Sequence, residues 1–441
     1  MTDAPIIADA APTAHGAGRT LADGGAGRLA TRTLLGFLLI HLLLHMDRSA
    51  MAVVMEPVKR EFHLTDTHLG LFSIVFAAAF GLAGIPLGRL TDRMSRRRVL
   101  AGCIAFFSLA TAACGLAQNV GQLLLARFAV GAGEAGGRPA MLSMISDLYP
   151  PERRAFATSV YYLGIPIGFV LTFLVGGWLA GHLGWRTVFM AAGTTGLVAA
   201  LATLVLLKEP TRGASDAGAP VEPLPWARSV AEVLGGAAMR HVLVTTMLTS
   251  LLSAGVISWA VSFLVRSHGL SLPQAGLVMA LAYGAVGAIG TLGGGWTIDR
   301  LARRDVRWRA WIPAVAVLLA LPALAGFILS PSLALACVAL GIWAVVNGAV
   351  YAPGIALTQS LASPRSRGTA AAIFYLLSNV AGSGLGPLAV GMLSDALRPT
   401  FGTDSVRFAI LTLSGLYLWA GLHFFLAGRR LPHSDSMKGS A

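Results

Sequence analysis

The sequence predicts an all-α membrane protein: twelve transmembrane helices in two pseudo-symmetric six-helix bundles. Three observations carry that prediction. Of the 441 residues, 55% are hydrophobic and 12% charged, with a mean hydropathy of +0.71, whereas soluble domains carry about 25% charged residues. Twelve largely apolar runs are close to the ~20 residues that a helix needs to cross a bilayer, where lipid offers no partner to an unpaired amide. Finally, a pattern of Gly-x-x-x-Asp-Arg with further arginines beyond it ends one long run at Gly88-Arg89-Leu90-Thr91-Asp92-Arg93 and another at Gly295-Trp296-Thr297-Ile298-Asp299-Arg300. One copy in each half makes the chain an internal duplication. A transmembrane barrel is excluded, because its strands alternate over about ten residues and give no unbroken apolar run.

Residues 1–31, rich in Ala, Gly, Thr and Asp, lack the charged-then-apolar layout of a secretory signal and read as a disordered cytoplasmic tail. The N-terminal bundle, 32–207, holds runs near 33–57, 69–91, 98–117, 121–146, 154–181 and 185–207. A polar stretch at 208–237, with Pro210, Pro220, Pro223 and Pro225, reads as the cytoplasmic linker. The C-terminal bundle, 238–430, holds runs near 241–265, 273–297, 309–330, 332–361, 367–396 and 405–428, and 431–441 form a second tail. The duplication continues past the paired loops: Glu152-Arg153-Arg154-Ala155 leads into Val160-Tyr161-Tyr162-Leu163, as Arg365-Ser366-Arg367-Gly368 leads into Ile373-Phe374-Tyr375-Leu376. The fifth and eleventh helices therefore correspond. Gly164, Gly168, Gly176 and Gly177 in one, Gly382, Gly384, Gly386 and Gly391 in the other, with Pro166 and Pro387, predict close packing and bendable helices. Two halves related by an axis along the membrane normal follow.

The formal net charge of +13 invites a nucleic-acid reading, but its placement argues for topology. Arginines gather in alternate loops, at Arg93 and Arg96 to Arg98, Arg153 and Arg154, Arg300 to Arg309, and Arg365 and Arg367, while the intervening loops hold little beyond Lys59, Arg60, Arg266 and Arg398. By the positive-inside rule both termini face the cytoplasm, in the inner (plasma) membrane. Cys103, Cys114 and Cys337 all fall within apolar runs and show no metal or disulfide spacing. Neither a nucleophile elbow nor a phosphate loop is present, and Gly131-Ala132-Gly133 follows no strand, so an enzyme is not expected.

Charges within apolar runs are expensive, about 2.5–3.5 kcal/mol each near the bilayer centre on insertion scales, and they mark function. Asp47 and Arg48 lie inside the first run, just after His45. In the fourth, Arg127, Gly131, Glu134 and Arg138 share one helical face spread over roughly 16 Å. A buried network of Asp47, Arg48, Arg127, Glu134 and Arg138 is expected, in which a carboxylate that takes up a proton changes partner. Stapling two helices together would be a weak use of such pairs, because desolvation offsets most of the attraction. The second half carries no Asp or Glu at depth. It offers Trp259, Tyr283, Trp343, Asn347, Tyr351, Gln359, Tyr375 and Asn379, with Asn347/Tyr351 and Tyr375/Asn379 at helical i, i+4 spacing. A cavity charged on one wall and apolar on the other suits an amphiphile with an anionic head.

The paired loops resemble those between the second and third helices of each half in major facilitator superfamily transporters, with Ser95 where that family usually shows glycine. The run Arg127-Phe128-Ala129-Val130-Gly131-Ala132-Gly133-Glu134-Ala135, continuing to Ser146-Asp147-Leu148-Tyr149-Pro150-Pro151-Glu152-Arg153-Arg154 and Tyr162-Leu163-Gly164-Ile165-Pro166-Ile167-Gly168, resembles the spinster branch of that superfamily. Asp47-Arg48 and the late segments Gly384-Leu385-Gly386-Pro387 and Leu393-Ser394-Asp395-Ala396-Leu397 fit as well. The resemblance implies export of lysophospholipid-like or sphingosine-phosphate-like molecules, with Asp47 and Glu134 as the proton-linked carboxylates. Arg138 stands where the branch commonly has a small residue. The expected substrate contacts are Arg48, Arg127, Arg138, Tyr162, Trp259, Asn347, Tyr351, Tyr375 and Asn379. A conformational latch is expected from Gly88, Asp92, Arg93, Arg96, Asp299 and Arg300, with Asp92 against the start of the eleventh helix. The expected protein is a monomeric secondary transporter driven by a proton gradient, with no cofactor, metal or nucleic acid. It moves an anionic amphiphile or, alternatively, small organic anions or drugs.

Overall fold

Backbone amides surrounded by lipid find partners only within a helix or a closed barrel, and this chain takes the helical solution. A computed structural model describes residues 20–212, 224–363 and 365–431, without the side chains of 20–26, 151, 152, 155, 292, 299 and 352. Among the described residues there is no strand. The N-terminal half holds six spans: Thr20–Phe62, Asp66–Arg93, Arg96–Leu116, 120–148, 151–182 and Trp185–Leu206. The C-terminal half holds six more: Ala237–His268, Leu272–Ala302, Trp308–Leu329, Leu333–Leu361, 367–401 and 405–429. These are numbered first to twelfth below. The face from which the first span starts and the twelfth ends is called the terminal face, the other the distal face.

Polar residues set the ends of the spans. Thr65 and His68 form a reciprocal cap at the start of the second span, and Asn119 Oδ1 accepts from Gln122 N at 2.9 Å at the start of the fourth. Ser95 has φ −60° and caps the third span by accepting from Arg98 N. Its backbone needs no left-handed conformation, which explains how serine serves where glycine was the familiar choice. The fourth span is interrupted between Glu134 and Gly137, beside the buried charges.

Two expectations about the connecting regions change. Helix begins at Thr20, so the described part of the tail, 20–31, belongs to the first span, while 1–19 lie outside the described residues. The linker 208–237 is not wholly irregular. Its residues 213–223 lie outside the described set, but Trp226–Gly235 is a helix with Val233 buried against Met239, Leu243 and Ala370. The sequence reading passed over it because ten residues are too few to span a membrane. Of the second tail, 432–441 lie outside the described residues.

The two halves meet along the first and seventh, second and eleventh, and fifth and eighth spans. These seams are tightest toward the distal face, where glycine permits backbone contact. A Cβ on Gly276 would collide with the carbonyl of Phe173, and one on Gly391 with the carbonyl of Asp66. Wide π-type turns occur at Thr172–Gly176, Met279–Ala285 and Ser378–Leu385, in the fifth, eighth and eleventh spans that form these seams. Such turns often mark functional places. The turn at 378–385 leads straight into Gly386-Pro387, where proline withdraws a helical N–H.

Candidate functional site

Helix geometry stacks the charges of the first and fourth spans in layers rather than in one cluster. The two spans run antiparallel, and the adjacent Asp47 and Arg48 of the first reach Arg127 and Glu134, two turns apart on the fourth. In one layer Arg48 Nε donates to Glu134 Oε2 at 2.6 Å, and the Glu134 side chain is fully buried. Beside it Arg127 Nη1 lies 3.6 Å from Asp47 Oδ2, both side chains buried, and Thr111 Oγ1 of the third span donates to Asp47 Oδ1 at 2.6 Å. Phe76 of the second span packs under both guanidiniums, at 5.3 Å from Arg48 and 5.2 Å from Arg127, with Phe80 4.7 Å from Arg48. The network is incompletely satisfied: Glu134 Oε1, Asp47 Oδ2 and the Nε and Nη1 of Arg127 have no hydrogen-bond partner among the described residues. A half-satisfied buried network is costly, and a rearranged set of partners lies close in energy.

Arg138 does not join these pairs, contrary to the expectation of a five-member network. Its position a helical turn beyond Glu134 places it in the next layer toward the terminal face. There its guanidinium lies 5.7 Å from the Tyr375 ring, with Tyr161, Tyr162 and Tyr351 nearby. It has no acidic partner among the described residues. Tyr162 Oη lies 3.1 Å from Tyr375 Oη. These are the corresponding residues of the two repeats, so the hydrogen bond sits on the axis that relates the halves. His41 of the first span stacks on Tyr161 with ring centroids 4.0 Å apart. It is fully buried, and neither ring nitrogen has a partner among the described residues. Tyr351 is 46% exposed although it lies deep in the protein, which makes this layer a wetted cavity wall.

The remaining expected contacts divide. Asn379 Nδ2 is tied to the carbonyl of Tyr375, and Asn347 Oδ1 accepts from Ser253 Oγ at 2.6 Å, so both amides brace the wall. Trp259 is fully buried and donates to the Pro387 carbonyl at 2.9 Å. It binds the seventh span to the eleventh and does not line the cavity.

Closure is found on the distal face, through residues that sequence reasoning had passed over as sparse loop charges. Arg266, at the end of the seventh span, donates to both carboxylate oxygens of Asp66 at 2.8 Å and to Glu56 Oε1 at 2.8 Å. Lys59 also pairs with Asp66, and Ser394 Oγ donates to Asp66 Oδ2 at 2.6 Å. The Asp395 carboxylate accepts from the backbone N–H groups of Asp66 and Thr67, at 3.0 and 2.7 Å, at the start of the second span. A carboxylate from one half thus sits on a helix N-terminus of the other. That is the geometry expected of Asp92 at the opposite face. Lone Arg266 in an arginine-poor loop was the available signal.

The terminal-face contact of Asp92 with the eleventh span is not made. Its carboxylate is exposed and unpaired among the described residues, while its carbonyl accepts from Arg212. Arg93 is exposed, a Cβ on Gly88 would meet only open space, and Arg300 lies 5.4 Å from the Trp296 ring; the Asp299 side chain lies outside the described residues. Arg96 is buried and internal to its half: it pairs with Asp147, and its Nη1 donates to Ser143 Oγ at 2.9 Å. Its backbone N–H donates to Glu209 at 2.8 Å.

Two related six-span halves, locked at one face, with charges buried at mid-depth in one of them, define a membrane transporter rather than an enzyme. The chain belongs to the Major Facilitator Superfamily, whose description matches residues 37–387, and within it is most like the spinster branch. It is 33% identical over 403 residues to an MFS-type efflux pump of Mycolicibacterium smegmatis, covering 89% of this chain and 91% of that one. It is 28% identical over 393 residues to protein spinster homolog 1 of Homo sapiens, covering 81% and 72% respectively. Among solved structures, a bacterial homolog of the human lysosomal transporter spinster, in an inward-facing and unoccupied conformation, superposes with a TM-score of 0.83 at 29% identity, covering 91% of this chain and 97% of that one.

Proposed function

We propose that the chain is a proton-coupled secondary transporter that moves an anionic amphiphile, such as a lysophospholipid, by alternating access across the inner membrane, with both termini cytoplasmic. The observation that carries this reading is the Arg48–Glu134 pair, 2.6 Å long, with Glu134 fully buried and Arg48 partly exposed. A proton on Glu134 removes the charge that holds Arg48, and the freed guanidinium alters the field of the cavity. Asp47 with Arg127 and Thr111 keeps the neighbouring layer neutral while this happens. The acid-free walls of the C-terminal half favour the apolar part of a substrate over a sugar. Likeness to an inward-facing spinster homolog and the unmade Asp92 contact at the terminal face support a state open to the cytoplasm.

A second reading, carriage of small organic anions or drugs, is favoured by the 33% identity to an efflux pump. Purified protein in liposomes separates the two. Addition of 1-oleoyl lysophosphatidylglycerol is expected to drive proton flux, and excess lysolipid to suppress any flux of a hydrophilic anion. Proton flux that responds to small anions and ignores lysolipid would select the second reading.

A further inference from the structure

We propose that Arg138, together with the phenols of Tyr161, Tyr162, Tyr351 and Tyr375, forms a preformed receptor for a phosphate ester, and that Arg48 and Arg127 do not hold the substrate's anion in this conformation. The inference rests on the transport reading above and assigns the contact that holds the anionic head. Arg48 is occupied by Glu134, and Arg127 is buried against Asp47 and Phe76. Arg138 alone of the three is partly exposed and free of a carboxylate among the described residues. Around it stand neutral groups rather than acids. Phenols donate hydrogen bonds without offering a competing negative charge, and the guanidinium offers a planar fork that matches phosphate oxygens. A phosphate ester brings three strong acceptor oxygens, which this set of donors can satisfy together.

Two further observations point to a missing ligand in the same layer. Both ring nitrogens of His41 are buried without a partner among the described residues. Buried polar groups are normally paired, and those that are not ask for an explanation. The layer also spans both halves, since Tyr161 and Tyr162 belong to one and Tyr351 and Tyr375 to the other, joined by the Tyr162–Tyr375 hydrogen bond. An anion bound here would compete for those hydroxyls, and so bears on how the halves are held together.

The test uses the full-length purified protein with two probes, 1-oleoyl lysophosphatidate and glycerol 3-phosphate, the second being a phosphate head without a tail. Binding is measured for wild type, Arg138→Gln, Arg138→Lys and Tyr375→Phe, with thermal unfolding as the check on folding. Arg138→Gln is expected to weaken lysophosphatidate binding roughly thirtyfold, about the worth of a charge-assisted hydrogen bond. Arg138→Lys should lose about tenfold and Tyr375→Phe a few-fold, the two Arg138 variants unfolding at the wild-type temperature because no ion pair is broken. If glycerol 3-phosphate follows the same order, the receptor reads the head alone; if only lysophosphatidate binds, the tail is required as well, and either result supports the site. Wild-type affinity of Arg138→Gln for both probes, or no binding of either probe to the wild-type protein, overturns it. Proton coupling fails separately: flux in Glu134→Gln with undiminished proton dependence would remove that reading and leave the Arg138 binding ratio untouched.

Discussion

Glu134, fully buried, is held by the partly exposed Arg48, so any change of charge on one reorganises the other. Glu134→Gln keeps the shape of the side chain and cannot titrate. It is expected to lose proton-driven transport in liposomes while the partly exposed Arg48 keeps contact with solvent. Asp47→Asn should lose transport as well, but at a cost in stability, because it leaves Arg127 buried without its counter-charge. The double variant should lose little more than either single one, because members of one network are not additive. Stability separates the arginines differently. Arg127→Gln leaves Asp47 buried without its counter-charge, a change that costs about 3–5 kcal/mol in buried pairs, whereas Arg138→Gln breaks no pair. Thermal unfolding of the two variants should therefore differ by many degrees. Asp47, Arg48, Arg127 and Glu134 were legible in the sequence because a charge in an apolar run stands out. Thr111, Phe76 and His41 were not, being unremarkable in such a run until a neighbour's charge gives them a role. The spacing of Arg138 placed it on the right face but could not say which layer of the first span it would meet.

Helix ends and helix crossings carry the next level of organisation. Ser95, Arg96 and Glu209 tie the start of the third span to the end of the sixth. Burial pushes the Glu209 carboxyl up, but hydrogen bonds from Ser95 and from the backbone of Arg96 and Arg97 prevail and hold it below 4.5. A carboxyl lowered on folding stabilises above its unfolded value and loses that contribution as pH falls through the folded one. Glu209→Gln should thus be slightly less stable than wild type at pH 7, by under about 1 kcal/mol for a part-exposed group. The difference should shrink as pH falls below the ordinary carboxyl range in unfolding scans. The glycine crossings make a stronger claim. Gly276→Ala pushes a methyl into the Phe173 carbonyl and should spread the fifth and eighth spans at the distal face, lengthening spin-label distances there. Unchanged distances and unchanged stability would contradict the packing. The twelve spans and their small-residue seams could be read from hydropathy and composition. The helix 226–235 could not, since its burial depends on Met239, Leu243 and Ala370 of spans that fold elsewhere in the sequence.

At the scale of the whole molecule, the duplication was plain in the paired basic loops, but a sequence that must serve two conformations does not announce which one it adopts. Asp92 was expected to latch the terminal face, and the same device appears instead as Asp395 on the start of the second span at the distal face. Asp395→Asn combined with Arg266→Gln should raise the population open at the distal face. A carboxylate at a helix N-terminus is worth about 0.3–1 kcal/mol, up to about 2 when partly buried, so the Asp395 change alone should move the ratio of states several-fold, as read by spin-label distances across both faces. Asp92→Asn should leave the conformation described here untouched and disfavour the opposite one. Arg138 has an electrical consequence. With its two neighbouring pairs neutral, the empty cavity holds one uncompensated positive charge, and rocking moves that charge from contact with one aqueous compartment to contact with the other. A negative-inside membrane potential then acts on the empty carrier with up to about 2.3 kcal/mol per 100 mV, drawing it toward the state open on the cytoplasmic side. A phosphate monoester, at about −1.5 to −2 near pH 7, cancels or slightly reverses the effect in the loaded carrier. In the transport cycle proposed above, the return of the empty protein is thus the step that a negative-inside potential favours.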